Sequence, residues 1–514
     1  MADSIVLLPL DSRPVNVRLP ASLARLAGAH IITPPMRMLG NLHHPADFEA
    51  IRSWIFDTLT SQSPVLFVSA DLLCYGGLIF SRENRVSQEI ALKRLSLLQH
   101  VKKQFPDLRI FLTGVILRDS ISVRNDDDFA LWEQLQSGRG PYPDWFLALR
   151  QRNAAVNSAV LDLAAHGVVD FALLGKEDTA PSNPFKQEIS SLRRMIRDRS
   201  LAGRACVING TDELMCLLMA RWQSEKFKNK PRFFIDSRGS GFPDKTPLFE
   251  SQALARTLRE QIRVAGGRVA APGRPYDIRL FLHCPVKQQQ DLFALQLQGM
   301  RGKPKPVRDK KYYRTFTDAV NGELKLSAVA DLAYANGSDP ALTDALISKN
   351  LFFKLGSWAA WNTASNTTGT VIASSLVTQL LLSNKIIEYS KDTISNHIHM
   401  LLSRLLDDDI YQSRVRNDLV KDVINPHSID NTSLVNETLN RMMIEYWNNL
   451  SHKNILNRTI STCFSGIDSV VFSSIRLKGV KLPWRRLFEC EATPDAYFTV
   501  LKMGLPRTNT LTRK

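Results

Sequence analysis

The chain has 514 residues, with 66 Lys and Arg against 50 Asp and Glu, a formal net charge of +16, and 44% hydrophobic against 23% charged residues. This is the balance of a globular protein with a large core, and it excludes disorder, a collagen-like chain and a disulfide scaffold. At roughly 100–200 residues per domain the length predicts two to four domains.

Taken in chain order, apolar runs rich in Val, Ile, Leu and Phe predict strands at 5–10, 30–33, 65–69, 109–117, 168–174 and 205–208. Further runs follow at 232–235, 278–283, 326–330 and 351–355. Amphipathic stretches at 18–27, 87–103, 150–165, 211–221 and 248–265 predict the intervening helices. Continuous apolar strands alternating with helices read as parallel sheets covered on both faces, the α/β class. The polar stretch 224–231 divides the pattern. We therefore expect an N-terminal α/β domain at 1–225, a second at 226–390 with a basic loop at 301–314, and a mainly helical region at 391–514. The first two are read as doubly wound, mainly parallel lobes around a cleft. A TIM-like barrel holding the first eight strands is the alternative.

The run 5–10 leads straight into Asp11, and the apolar stretch 371–382 falls short of the roughly 20 residues a membrane span needs. Six cysteines stand at 74, 206, 216, 284, 463 and 490 without CxxC spacing. They predict reduced thiols and a cytoplasmic location. The pI near 9.6 raises nucleic-acid binding, but no zinc-finger spacing, RNP-like strand or basic zipper accompanies it. The dense basic stretch 301–314 is expected as an exposed loop, so the charge favours solubility and an anionic ligand over nucleic acid.

In α/β folds ligands bind outside the carboxyl ends of the strands. Asp11 and Arg13 follow the first run; Asp71, Tyr75, Gly76, Gly77 and Arg82 follow the third; Arg118 follows the fourth, Asp178 the fifth and Asp212 the sixth. Capping and turn roles suit several of these residues singly. Their number favours convergence on one site, where carboxylates serve as acid and base and guanidinium groups clamp an anion. In the second half, Asn336 and Asp339 sit in a turn signature, and Trp361 stands with Asn362 and Asn366. A ring beside amides suits a polyhydroxyl ligand, although a buried Trp and capping Asn residues fit the same pattern. The loop 237–241 is glycine-rich but lacks the P-loop and dinucleotide fingerprints. His43, His44 and Asp47 are of metal-ligand type without an HExxH spacing, and Asp126 to Asp128 read as a solvated turn. No motif requires a cofactor, and no metal is assigned.

Five motifs together resemble the bacterial DUF4127 family, a domain of unknown function. They are Pro9-Leu-Asp-Ser-Arg-Pro14, Ser69-Ala-Asp-Leu-Leu-Cys-Tyr-Gly-Gly-Leu-Ile-Phe-Ser-Arg82, Gly210-Thr-Asp-Glu213, Asp331-x-x-Tyr-Ala-Asn-Gly-Ser-Asp339 and Trp361-Asn-Thr-Ala-Ser-Asn-Thr-Thr-Gly-Thr370. The sequence departs from the family where Glu177-Asp178 replaces a paired Asp, and where Ala360 rather than Gly precedes the Trp-Asn-Thr core. The resemblance implies a cytoplasmic enzyme linked to carbohydrate use, without naming a reaction.

Together these readings predict a hydrolase using glycosidase-like carboxylate chemistry on a small polyhydroxylated or amino-sugar-like substrate. Asp11 and Asp71 lead as catalytic groups, with Asp178 and Asp212 next. Arg13, Tyr75, Gly76, Gly77, Arg82, Arg118, Asn336, Asp339, Trp361, Asn362 and Asn366 are expected around the substrate. A non-catalytic ligand-binding or regulatory protein is the alternative, and a homo-oligomer is left open.

Overall fold

The computed structural model describes residues 4–121, 126–136, 141–300, 304–384, 391–421, 429, 431–464 and 469–501. The first lobe is built on β1 (Ser4–Leu8), β2 (His30–Ile32), β3 (Val65–Ser69), β4 (Arg109–Ile116), β5 (Phe171–Lys176) and β6 (Ala205–Asn209). All six pair in parallel, in the order β2-β1-β3-β4-β5-β6. Successive strand residues point to opposite faces, and both faces are covered. Ile5, Leu7, Val65 and Phe67 enter one core with helices Pro14–Leu26 and Leu214–Lys226. Val6, Leu8, Leu66 and Val68 enter another with helices Phe48–Thr58 and Asp144–Ala165.

The second lobe repeats this topology. Its strands are β7 (Arg232–Asp236), β8 (Arg268–Val269), β9 (Ile278–His283), β11 (Leu326–Asp331) and β13 (Ser357–Ala359). They pair in parallel in the order β13-β11-β9-β7-β8, while β10 (Gln290–Asp291) and β12 (Tyr334–Ala335) form a separate short pair. Counted from its own first strand, the first sheet runs 2-1-3-4-5-6 and the second 2-1-3-4-5, so the winding reverses between β1 and β3 and again between β7 and β9. One core spans both lobes, through helices Leu214–Lys226, Leu254–Val264 and Ala364–Asn384. Val371, Ile372, Leu376 and Leu380 of the last helix are fully buried, which explains an apolar stretch too short for a membrane. Among the described residues no helix is long and apolar enough to cross a membrane.

Helices Lys391–Arg404, Arg416–Lys421 and Thr432–Asn454 and an eleven-residue π-helical segment, Leu405–Val415, lead into an antiparallel sheet. Its strands are β14 (Thr459–Ser461), β15 (Ser469–Lys481) and β16 (Glu491–Leu501). The sequence of this last part shows no period because the pairing shifts register twice, between Phe472 and Ser474 and between Leu477 and Val480.

Four other expectations are corrected. The barrel alternative fails, because β2 and β6 are edges of an open sheet. The run 351–355 is a 3-10 turn, Phe352–Lys354, and the strand is the following β13. Leu351, Phe352, Phe353 and Leu355 are apolar because they fill the second lobe's core, and burial without alternation does not specify a strand. Lys310 to Arg314 belong to helix Lys310–Asn321, capped by the Asp309 side chain, so only 304–309 of the basic stretch is described as a loop and 301–303 lie outside the described residues. Asp126 to Asp128 open a helix, Asp126–Gln136, rather than a turn.

Candidate functional site

The carboxyl ends of β1, β3, β4, β5 and β6 bring the acidic and basic residues of the first lobe together. Arg13 ends its strand exit in an extended conformation, and Pro14 supplies a pre-set φ for the helix that follows. Its guanidinium lies between two carboxylates. Nε donates to Asp11 Oδ1 and Oδ2 at 3.0 and 2.9 Å, Nη2 to Asp11 Oδ2 at 2.7 Å and Asp212 Oδ1 at 2.5 Å, and Nη1 to Asp212 Oδ2 at 3.1 Å. Asn16 Nδ2 donates to both aspartates. All four side chains are buried. Burial alone would lower the guanidinium pKa, and the charges of Asp11 and Asp212 outweigh it and hold it well above its ordinary value. The C-terminal region closes this clamp: Trp484 packs its ring 5.4 Å from the Arg13 guanidinium and donates Nε1–H to Ser12 Oγ at 3.0 Å.

Beside the clamp lies a second group, at the ends of β3, β4 and β5. Asp71 is enclosed, and its Oδ2 accepts the Val115 N–H at 2.9 Å. Burial, reinforced by the charge of Glu177, pushes its carboxyl up to about 7. Glu177 pairs with Arg82 and accepts the Arg118 N–H at 3.2 Å. Arg118 Nη1 reaches to 4.0 Å from Asp178, whose side chain is surrounded by protein yet 45% open to solvent. Burial and Glu177 push the Asp178 carboxyl up to about 6 against the pull of Arg118 and Arg82.

Asp178 opens into a crevice of about 10 Å3 between the lobes, room for a single water, lined by Lys176, Thr211, Phe249, Glu250, Ser365 and Asn366 among others. The β6 exit and the helix start of the second lobe meet here over two buried glutamates. Asn366 Nδ2 donates to Glu213 Oε2 at 2.6 Å; the Ser365 N–H and Asn209 Nδ2 donate to Glu250 at 2.6 and 2.5 Å. Burial, with the charges of Asp212 and Glu250, raises Glu213 to about 8. Burial and neighbouring Arg193 lower Lys176 to about 8. A Cβ on Gly210 would stand 1.6 Å from Glu213 Oε1, and its φ of 103° is itself a glycine conformation. On the crevice wall, Phe249 is 40% exposed and holds φ of 64°, a strained state for a bulky residue.

The remaining expected residues are placed as follows. Tyr75 is buried under the Arg152 guanidinium, 4.4 Å from its ring centre. Gly76 packs on 45–46, its carbonyl accepting the Ala46 N–H, and Gly77 lies against Asp11. Trp361 is 3% exposed, with Nε1 donating to Thr370 Oγ1, and presents no face to solvent. Asn336 donates its N–H to the Asn362 carbonyl at 2.9 Å and Nδ2 to Asp291. Asp339 caps helix Pro340–Ser348 and lies 3.0 Å from His283 Nε2, both wholly buried. These second-lobe residues have their own partners and, Asn366 apart, do not line the Asp178 crevice; Asn366 joins the first-lobe cluster. His43 is exposed, Asp47 caps helix Phe48–Thr58, and among the described residues no three His, Cys, Asp or Glu side chains are grouped to hold a metal. The 237–241 segment folds on itself, Ser237 Oγ donating to the Ser240 carbonyl, and leads into a 3-10 turn rather than a helix start.

A family model described as a protein of unknown function, DUF4127, matches residues 5–138 and 142–493. The chain belongs to the DUF4127 family. No curated protein matches it. The DUF4127 match extends beyond the five motifs to take in Trp484, Arg486 and Glu489, which cover the Arg13 clamp and escaped the sequence reading. Lys176, Glu177, Glu213 and Glu250 were missed as site residues too. Glu177 and Glu213 each adjoin a nominated aspartate, so strand-end position was a signal for both, whereas nothing local marks Glu250. Asp408, raised to about 8 by burial and tied to the Ala360 N–H and Arg404, sits in the π-helical segment, a type often found at functional positions.

Proposed function

We propose that this DUF4127 protein is a cytoplasmic hydrolase that acts, by carboxylate acid–base chemistry, on a small polyhydroxylated or amino-sugar-like substrate docked against the mouth of the Asp178 crevice, whose interior of about 10 Å3 admits no more than a water-sized group. The observation that carries the reading is Asp178 itself. It is an open carboxyl at a strand end, pushed up to about 6, with two guanidinium groups beside it. A group with that affinity for protons both gives and takes them near neutrality. Asp178 transfers the proton to or from the substrate, while Arg118 and Arg82 hold its polar or anionic part. Glu177 fixes both arginines. Thr211 and the exposed face of Phe249 meet hydroxyls and C–H faces, a role that the buried Trp361 does not fill. Asp11 and Asp212 are committed to Arg13 and Asp71 is enclosed, and none of the three lines the crevice, so in this reading they support the strand ends and do not touch substrate. The six free thiols support the location, since a reducing compartment keeps them so.

The alternative, a non-catalytic binding or regulatory protein, has one observation in its favour, the closed Asp11–Arg13–Asp212 clamp. A thermal-shift panel of sugars, amino sugars and sugar phosphates on wild type and Asp178→Asn separates the two. A ligand that raises the midpoint of both, but is turned over only by wild type with a pH limb near 6, supports the hydrolase. A ligand that binds both proteins equally and is never turned over supports the binding protein. Silence across the panel, with folded protein, overturns the substrate class.

A further inference from the structure

A second concavity lies at the other end of the first sheet. It is a groove of about 560 Å3 along the open edge of β6, reaching Phe171 and Ala205, the first residues of β5 and β6. Arg193, Arg197, Arg221, Arg256, Arg263 and Arg268 line it, and Lys230 adds a seventh cation. The lining holds two carboxylates. Glu225 is taken by Arg221 at 2.8 Å and by Arg109 at 2.8 Å; Glu260 lies 3.0 Å from Arg256 and 3.9 Å from Arg193. Among the described residues no carboxylate pairs with Arg197, Arg263, Arg268 or Lys230. Holding this many like charges around one small space is unfavourable without a counter-charge, so the groove is an electrostatic trap for an anion. The floor is apolar: Ile196, Val207 and Val264 are buried beneath it, and the Arg221 guanidinium lies 4.0 Å over the Phe171 ring.

We propose that this groove binds a small organic polyphosphate, of the nucleoside di- or triphosphate class, at a site separate from the Asp178 crevice. Its volume falls in the range that encloses a single small ligand and is too small for a nucleic-acid duplex. Forked guanidinium groups match phosphate oxygens bidentately, and the apolar floor receives the flat, uncharged part. The groove is joined to the crevice by one hydrogen-bonded chain: Glu260 accepts from Gln252 Nε2 at 2.8 Å, and Gln252 Oε1 accepts from Lys176 Nζ at 3.2 Å.

The test is fluorescence anisotropy of a fluorescent ADP with the full chain at physiological ionic strength. Competitors are inorganic pyrophosphate, unlabelled ADP, adenosine and a single-stranded oligonucleotide. ADP and pyrophosphate should displace the probe and adenosine should not. Arg197→Glu/Arg268→Glu, both exposed positions that leave the fold intact, should weaken binding by roughly tenfold or more, since charge-assisted bonds are lost and repulsion added. Lys310→Glu/Lys311→Glu, outside the groove, should leave it unchanged. No binding by folded wild type, equal loss in both double variants, or displacement by the oligonucleotide far below the pyrophosphate concentration overturns the proposal.

Discussion

Replacing Arg13 with Met tests whether one guanidinium holds the acid cluster together. The substitution keeps an unbranched apolar stem against Trp484 but removes every guanidinium N–H that Asp11 and Asp212 receive, leaving the backbone N–H of residue 13 on Asp11 and Asn16 as the shared donor. Both carboxylates are then enclosed without a counter-charge. Removing one partner of a buried pair costs roughly 3–5 kcal/mol, because the other charge stays buried. We expect a loss in that range by urea unfolding followed with circular dichroism at about pH 7. The cost comes from stranded anions, so it must depend on pH. Protonation removes the charge of a stranded carboxylate, so the deficit against wild type shrinks as pH falls. Arg13→Met/Asp212→Asn should regain roughly 1–2 kcal/mol by neutralising one stranded charge. A loss under about 1 kcal/mol, the worth of an exposed pair, or a deficit constant with pH refutes the reasoning.

Two further outcomes follow from the junction between the lobes. Glu213 has its carboxyl raised from 4.5 to about 8, so the folded state keeps a proton that the unfolded chain has released. Its contribution is therefore full below about pH 4.5 and lost as pH rises through 8, and Glu213→Gln should flatten that part of the fall in thermal midpoint. An unchanged slope would show that Glu213 does not titrate there. Gly210→Ala places a methyl on the Glu213 carboxylate and in a positive-φ backbone, with an expected loss of roughly 1–3 kcal/mol. In Gly210→Ala/Glu213→Ala the two losses should sum to less than their separate values, because the clash is gone; strict additivity in denaturant unfolding counts against the contact.

The strand ends were legible because a parallel sheet needs apolar runs and leaves the next residues free to be charged. Asp11, Asp71, Asp178 and Asp212 stand in that position, and the sheet brings them to one edge. Their partners were not legible. Arg13 takes both Asp11 and Asp212, and that choice depends on how helices Pro14–Leu26 and Leu214–Lys226 pack on each other, which no local pattern encodes. Residues 153 positions apart, Glu213 and Asn366, meet at 2.6 Å only once both lobes are assembled. Trp361 shows the opposite failure: a ring among amides reads as a ligand platform or as core, and only packing decides. Phe249, the exposed ring of the crevice, carries no signal, since its positive φ is imposed by tertiary structure.

The contact between Trp484 and Ser12 joins residues 472 positions apart. At a synthesis rate of about 5–20 residues per second, the cover over the Arg13 clamp leaves the ribosome roughly 25–95 s after the strand it protects. During that interval the first sheet can form, but its charged edge stays wet and its winding reversal uncapped. A chain cut short before Trp484 therefore displays a different surface from a finished one, with Ser12 and the Arg13 face open to solvent and to quality-control proteases. Assembly of the clamp is thus a late, long-range step in folding, and it ties the chemistry of the N-terminal strand to synthesis of the 472 residues that follow Ser12.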